Sequence, residues 1–96
     1  MREQPFRQKV RKYMNKRYPD WIVATSNTAS IPDYTVHTDT GTFFIEFKGE
    51  GGSLSNRQVL RIEQLNKLGY GVLVLNADDD YQYELYHYIR IRKEEK

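Results

Sequence analysis

The segment IPDYTVHTDTGTFFIEFK, residues 31–48, has the clearest secondary-structure pattern in the chain. Residues 33–37 predict a strand, and Pro32 stands just before it, where the missing N–H of a proline does least harm. Residues 38–41 (TDTG) are typical of a hairpin turn, and residues 42–48 (TFFIEFK) predict the second strand. The segment therefore predicts an antiparallel β-hairpin.

The side chains of the second strand divide between two faces, because side chains alternate along a strand. Phe43, Ile45 and Phe47 share one face, which has the composition of a core face. Glu46 and Lys48 share the other face, at the end of the strand. By itself, this Glu-x-Lys pair also fits an ordinary ion pair at an exposed strand end.

Asp33 adds a second carboxylate to this strand end. In an antiparallel hairpin the start of the first strand lies beside the end of the second, so Asp33 is expected next to Glu46 and Lys48. Two carboxylates held together repel each other unless a cation intervenes. Hard divalent cations bind carboxylate and backbone carbonyl oxygens. The sequence thus predicts a Mg²⁺ (or Mn²⁺) site formed by Asp33, Glu46 and the backbone carbonyl of Phe47.

An N-terminal helix is predicted by apolar residues that fall on one helical face, and Pro19 is expected to end it. Residues 21–25 then predict a strand, and residues 26–30 a polar loop. The apolar residues of the helix are Phe6, Val10, Tyr13 and Met14.

A second helix is predicted after the hairpin, with Ser55 as N-cap and Gln58 completing a capping box. Residues 71–76 (GVLVLN) predict a strand covered on both faces, because they are almost all apolar. Gly69 is expected to end the helix, whose apolar stripe consists of Val59, Ile62, Leu65 and Leu68.

The C-terminal segment, residues 81–92, fits two patterns. Its apolar residues have helical spacing behind Asp78 as N-cap, whereas residues 89–92 alternate as in a strand. We favour the helix, which gives the order α-β-β-β-α-β-α and an α/β class in which helices flank a mixed sheet. The length of 96 residues fits a single domain, residues 1–96.

Positive charge is concentrated at the N-terminus. Residues 1–18 contain seven Lys or Arg and one Glu, a net charge of +6, while the whole chain has +2, so the remainder carries −4. This distribution favours contact with a phosphate backbone, although a solvated helix face has the same composition. The basic residues that we expect to contact DNA are Lys9, Arg11, Lys12 and Lys16.

The absence of cysteine excludes disulfides, thiolate zinc sites and a cysteine nucleophile. No apolar run approaches the ~18 residues of a membrane helix, and the N-terminus lacks the apolar core of a signal peptide. We therefore expect a cytoplasmic protein with no membrane partner.

The PD pair at 32–33, followed by EFK at 46–48, resembles the motif of the PD-(D/E)xK nuclease superfamily. The longer run IPDYTV, GTFFIEFKGEGG and LSNRQVLRIEQLNKLGYGVLVL is similar to the virus-type replication–repair nuclease (VRR-NUC) family over residues 31–75, about half of the chain. The match includes Gln58, ten residues after the lysine of the motif. One departure is Ser30, since the family usually has a glycine shortly before the PD pair.

The resemblance implies a restriction-endonuclease-like core and a Mg²⁺- or Mn²⁺-dependent endonuclease that cuts branched or flapped DNA. Asp33 and Glu46 would hold the metal, and Lys48 would orient the attacking water or stabilise charge on the phosphate. Gln58 matches the family's motif glutamine and would contact the water or a metal ligand, alongside or instead of capping the helix. Glu3 matches a family glutamate, which either joins the metal site or only favours the helix N-terminus.

Other readings of the same residues stay open. They are a restriction-type or RNA-directed nuclease on this fold, and a nucleic-acid-binding module that has lost catalysis. The complete set of Asp33, Glu46 and Lys48 argues against the second of these. A homodimer is also expected, because the C-terminal segment has more tyrosine and aliphatic area than a short terminal element buries on so small a core. A phage-encoded protein of this kind would act in the cytoplasm of a bacterial host.

Overall fold

The computed structural model describes residues 3–26, 31–48 and 52–94. Within them, four strands form one mixed sheet in the order β1-β2-β3-β4, in which β1, β2 and β3 are antiparallel and β4 is parallel to β3. The predicted α/β class and element order are confirmed. The elements are α1 (Glu3–Arg17), β1 (Ile22–Thr25), β2 (Tyr34–Thr38), β3 (Gly41–Lys48), α2 (Asn56–Lys67), β4 (Gly71–Asn76) and α3 (Tyr81–Glu94).

The predicted hairpin turn is confirmed between β2 and β3. Thr38 pairs with Gly41 across a two-residue connection. The Thr38 hydroxyl donates to the Gly41 carbonyl at 2.8 Å and accepts from the Thr40 N–H at 3.1 Å. Gly41 has φ +123°, a conformation that residues with a Cβ rarely adopt. The turn therefore depends on glycine at position 41.

The hairpin register fixes what lies at the far end of the two strands. Tyr34, the first residue of β2, pairs with Ile45. One more step in the same register sets Asp33 beside Glu46. Strand β2 begins one residue later than predicted, so Asp33 belongs to the segment that leads into β2.

Helices α1 and α3 pack on one face of the sheet. The Phe6 ring of α1 contacts the Phe47 ring of β3 edge to face at 5.7 Å between centroids, and the Tyr81 ring of α3 at 6.0 Å. The helical C-terminal segment is confirmed, and so is the predicted core face of β3. The buried core comprises Phe6, Val10, Met14, Tyr34, Val36, Phe43, Ile45, Phe47, Leu75 and Leu85.

Helix α2 covers the opposite face, and only Ile62 and Leu65 of its predicted apolar stripe face the sheet. Leu65 is buried, but Val59 is 41% exposed and Leu68 is 74% exposed. The face turned to the sheet runs through Gln58, Ile62 and Leu65, which are spaced four and three residues apart. The inward face of α2 therefore begins with a polar residue, Gln58.

Strand β4 contacts α2 on one face and α3 on the other, as predicted, but it is the edge of the sheet, so its residues are mostly half-buried. The structure corrects one further expectation. The N-cap of α3 is Asp80, whose carboxylate accepts from the Tyr83 N–H at 3.3 Å, and not Asp78. Asp78 instead donates its own N–H to the Asn76 side chain. No helix within residues 3–26, 31–48 and 52–94 is long and apolar enough to cross a membrane.

Candidate active site

Asp33 and Glu46 meet at the open end of the β2–β3 hairpin, as the sequence predicted. The Asp33 N–H donates to Glu46 Oε2 at 3.2 Å. The Asp33 carboxylate in turn accepts from the Phe47 N–H, with Oδ2 at 2.8 Å from the nitrogen. The two acidic residues are therefore linked through backbone as well as by proximity, and neither can turn away without breaking a hydrogen bond.

Glu46 is the buried acid of the pair, with 7% of its surface exposed. Burial, and the Asp33 side chain close to it, raise the pKa of Glu46 to about 7. The Asp33 N–H and the Gln58 amide stabilise the carboxylate and act in the opposite direction. This lowering of the pKa is the smaller effect, so ionising Glu46 beside Asp33 costs free energy.

Gln58 makes both of the contacts that the sequence left open, since it caps α2 and also contacts Glu46. Its side-chain oxygen accepts from the Ser55 N–H at 2.8 Å, and its own N–H donates to the Ser55 hydroxyl at 3.2 Å, which confirms the capping box. Its amide NH₂ donates to Glu46 Oε1 at 2.7 Å. Because both ends of the amide are engaged, α2 begins at a fixed position relative to the carboxylates.

Arg7 is a site residue that the sequence reasoning missed. Its guanidinium pairs with Asp33 Oδ1 at 2.9 Å, and both side chains are largely buried. The Tyr34 hydroxyl donates to the Arg7 carbonyl at 3.1 Å, which holds α1 against the start of β2. Nothing in the local sequence distinguishes Arg7 from the other basic residues of α1. Only the way in which the helix packs against the sheet brings it here.

Lys48 ends β3 opposite Asn76 of the parallel strand and is half-buried. Alternation along the strand sets its side chain on the face of Glu46. Its backbone carbonyl accepts from the Ala77 N–H at 3.0 Å, which extends the pairing to the last residue of the strand. Lys48 thus ends the strand that carries Glu46, two residues beyond it and on the same face.

The donor set fits a hard divalent cation. Asp33 and Glu46 supply two adjacent carboxylates, and the pKa of Glu46 is raised by its burial and by the Asp33 side chain, both of which a bound cation would offset. The N–H and C=O of a strand residue point to the same side, so the Phe47 carbonyl is directed to the side of Asp33. Within the described part of the chain, no third acidic, histidine or cysteine side chain joins them. The side chain of Glu3 lies outside the described residues, and so does Ser30.

The four basic residues expected to contact DNA are all exposed, but they do not form one face. Lys9 lies over the Tyr81 ring, 5.8 Å from its centroid, on the side of α1 that faces α3. Arg11 lies on the other side, 6.0 Å from the centroid of the Tyr34 ring and 3.5 Å from the Val23 carbonyl. Lys12 and Lys16 are exposed between these contacts.

No protein-family model matches the chain, and no curated protein matches its sequence. The resemblance to the VRR-NUC family therefore stays a prediction from the motif residues of the sequence.

The raised pKa of Glu46 leads to a prediction about stability and pH. Folding raises this pKa from 4.5 to about 7, so the folded state binds the proton more tightly than the unfolded state does. The resulting stabilisation is complete below the unfolded pKa and disappears as the pH rises through about 7. We expect this group to lower the free energy of unfolding by about 2–3 kcal/mol between about pH 5 and pH 8.

Urea denaturation of the chelator-treated protein across this pH range measures the effect. The same measurement on Glu46→Gln isolates the contribution of Glu46. Every other titrating group contributes equally to the unfolding free energy of both proteins and cancels in the difference. A pH profile that has the same slope in both proteins would contradict the assigned cause. Glu63→Gln, which removes an exposed carboxylate of α2, should leave the slope unchanged.

Proposed function

We propose that this protein is a metal-dependent DNA endonuclease that hydrolyses phosphodiester bonds. The observation that carries the proposal is the pair of linked carboxylates, Asp33 and Glu46, with Lys48 on the same face of the same strand end. Burying one carboxylate beside another costs free energy. A cation that binds both carboxylates offsets this cost, and a cation-dependent reaction at this strand end explains why the pair is present.

The residues have distinct roles in this proposal. Asp33, Glu46 and the Phe47 carbonyl hold Mg²⁺ or Mn²⁺. When bound, such a cation neutralises charge that develops on the phosphate and lowers the pKa of a water molecule. Lys48 orients the attacking water or stabilises the phosphate oxygens, and Gln58 fixes the Glu46 carboxylate through its 2.7 Å hydrogen bond.

The substrate that the VRR-NUC resemblance suggests is branched or flapped DNA, in a phage or repair setting. Labelled duplex, single strand, flap and four-way junction, each incubated with Mg²⁺ or Mn²⁺, test the reaction and the preference together. Cleavage of RNA alone would favour the RNA-directed alternative, and cleavage at a fixed sequence would favour the restriction-type alternative. Tight binding without cleavage of any substrate would favour the module that has lost catalysis.

The basic residues of α1 lead to a prediction about salt. If Lys9, Lys12 and Lys16 contact phosphates, DNA affinity falls with salt because each contact releases condensed counterions. Replacing all three by glutamine is expected to weaken duplex binding and to reduce the slope of log K against log salt by about 2–3. Arg11→Gln is measured separately, since the Arg11 guanidinium already contacts the Tyr34 ring.

Lys67→Gln is the matched control for this experiment. It removes one exposed positive charge from the last turn of α2, away from the proposed contacts. An unchanged salt slope in the triple variant would mean that these lysines only solvate the helix.

We also propose that the protein is a homodimer, through an apolar surface to which the C-terminal segment contributes only part. Leu85 is buried within its own subunit, and Tyr88 packs against the same core. Ile91 of α3 is 41% exposed, and Leu68 (74%) and Tyr70 (42%) are exposed where α2 ends and β4 begins. Tyr70 and Ile91 line the same cleft, of about 330 Å³. Adjoining exposed apolar side chains favour a two-fold contact with a second copy.

Light scattering at micromolar concentration tests the dimer. The expected mass is twice the 11.5 kDa of one chain, and Leu68→Asp is expected to halve it. A mass of one chain for the unaltered protein, with and without DNA, would contradict the proposal.

A further inference from the structure

A cleft of about 450 Å³ separates helices α1 and α3 on the face of the sheet that carries both of them. Three tyrosine rings and two arginine side chains form most of its walls. Tyr86 is 52% exposed there, although its neighbours on the helix, Leu85 and Tyr88, pack in the core. The residues that line the cleft are Tyr13, Arg17, Tyr18, Tyr86, Ile89 and Arg90.

Charge is segregated around this cleft. Among the described residues that line it, none is acidic. The acidic residue of the first turn of α3, Glu84, stands four and seven residues before Tyr88 and Ile91, so helical spacing sets it on the opposite flank. On α1, Lys9 precedes Tyr13 by four residues and so shares its flank. The cleft is therefore bordered by positive charge on both helices.

We propose that the α1–α3 cleft binds unpaired nucleotides of a single-stranded nucleic acid. A base stacks on the exposed Tyr86 ring, and the adjoining phosphates lie near Arg17 and Arg90. Stacking on an aromatic ring combined with a positively charged groove is the means by which proteins bind single strands without reading their sequence. An anionic polymer with planar bases matches both the charge and the rings of this cleft.

The cleft and the carboxylates are close enough for one nucleic-acid strand to contact both, and this step of the inference rests on the proposed nuclease function. Arg7, paired with Asp33, and Arg17, in the cleft, are ten residues apart on one helix. A rise of 1.5 Å per residue separates them by about 15 Å. Glu46 contacts α2 on one face of the sheet and the cleft lies on the other face, so the unpaired continuation of a strand cut at Asp33 and Glu46 reaches the cleft by passing around α1.

A second cleft, of about 540 Å³, adjoins the first and shares Arg17, Tyr18 and Ile89 with it. Tyr18 stacks on Trp21 at this junction, with centroids 4.1 Å apart and planes 9° apart. The second cleft is also lined by Asp20 and Asp39. These carboxylates repel a phosphate backbone, so the bound strand is expected on the α1–α3 side.

Fluorescence anisotropy with a labelled oligothymidylate and a labelled duplex, both in chelator so that neither is cut, tests the proposal. Tyr86→Ala is expected to weaken oligothymidylate binding about 10-fold, and Tyr86→Phe, which keeps the ring, is expected to restore it. Arg17→Gln is expected to reduce the salt slope for the single strand by about 0.7. Duplex affinity is expected to change by less than about two-fold with Tyr86→Ala, because paired bases offer no face for stacking.

Tyr83→Ala is the matched control, since Tyr83 is 60% exposed on the same helix and does not line the cleft. Equal weakening by Tyr83→Ala and Tyr86→Ala would overturn the proposal, and so would equal loss of duplex and single-strand binding. A fall in mass from dimer to monomer with Tyr86→Ala would overturn it in favour of a second copy in the cleft. Failure of the nuclease function is distinguishable, because the unaltered protein would then bind oligothymidylate but leave every substrate uncut.

Discussion

Glu46→Gln is expected to reduce the rate of DNA cleavage by about 1000-fold or more while leaving the protein folded. The substitution removes a charge that the proposed cation needs, yet keeps the shape of the side chain and an oxygen that can accept from Gln58. The electrostatic stabilisation that a catalytic metal gives to a phosphoryl transition state amounts to several kcal/mol. Each 1.36 kcal/mol corresponds to about a tenfold change in rate.

The stability of the Glu46→Gln variant separates this loss from unfolding. Above the raised pKa of about 7, the unaltered protein holds two negative charges side by side, and the variant holds one. The single amide oxygen can accept from Gln58 or from the Asp33 N–H but not from both. Because the relieved repulsion offsets this lost hydrogen bond, thermal denaturation in chelator at about pH 8 is expected to give a melting temperature close to that of the unaltered protein. Added Mg²⁺ is expected to raise the melting temperature of the unaltered protein only, because binding to the folded state stabilises it.

Asp33→Asn tests the second ligand in the same way, with the added loss of the ion pair to Arg7. Glu63→Gln, on an exposed face of α2, is the control for charge removal and is expected to cut DNA at the normal rate. Cleavage by Glu46→Gln at the unaltered rate, or full activity in excess chelator, would show that the carboxylate pair is not the metal site.

The site could be predicted from sequence where local geometry determines it. The alternation of β3 and the short turn after Thr38 fix the register of the hairpin, and that register alone brings Asp33 to Glu46. Gln58 was predictable as a cap because its partner Ser55 is three residues away. Its contact with Glu46 was suggested only by the family resemblance, since no periodicity in the chain relates the two residues.

Arg7 was missed because its role depends on tertiary packing. A basic helix offers several equivalent cations, and the angle at which the helix packs on the sheet selects one of them. Val59 and Leu68 of the predicted α2 stripe are exposed for a related reason. Apolar residues at helical spacing predict a buried face, but here the inward face begins with Gln58, and Val59 is displaced from it by about 100°.

The half-burial of β4 and the correction at the N-cap of α3 have equally specific causes. An almost wholly apolar strand is compatible with a central or an edge position, and only the sheet order distinguishes them. Three consecutive aspartates, residues 78–80, are equally suited to capping a helix. The turn engages Asp79, whose carboxylate accepts from the Asn76 N–H at 2.8 Å, and this leaves Asp80 as the cap.

Phe6→Ala is expected to cost about 3–5 kcal/mol of unfolding free energy, the second large effect that the structure predicts. Phe6 is 2% exposed and its ring is held edge to face between Phe47 and Tyr81. Truncation leaves a cavity where α1, α3 and the sheet meet, and a domain of this size has only about 5–15 kcal/mol in total. The variant is therefore expected to be partly unfolded near physiological temperature.

The same substitution reaches the site, because Phe6 stands next to Arg7 and fixes the depth at which α1 packs. Urea denaturation followed by the fluorescence of Trp21, the one tryptophan of the chain, measures the stability. Gln8→Ala, on an exposed position of the same helix, controls for changes in helix propensity. Phe6→Leu, which keeps most of the apolar volume, is expected to recover much of the stability and, with it, cleavage. Unaltered stability in Phe6→Ala would mean that α1 is held mainly by its contacts at Arg7 and Tyr34, and that the core beneath it contributes little to positioning the carboxylates.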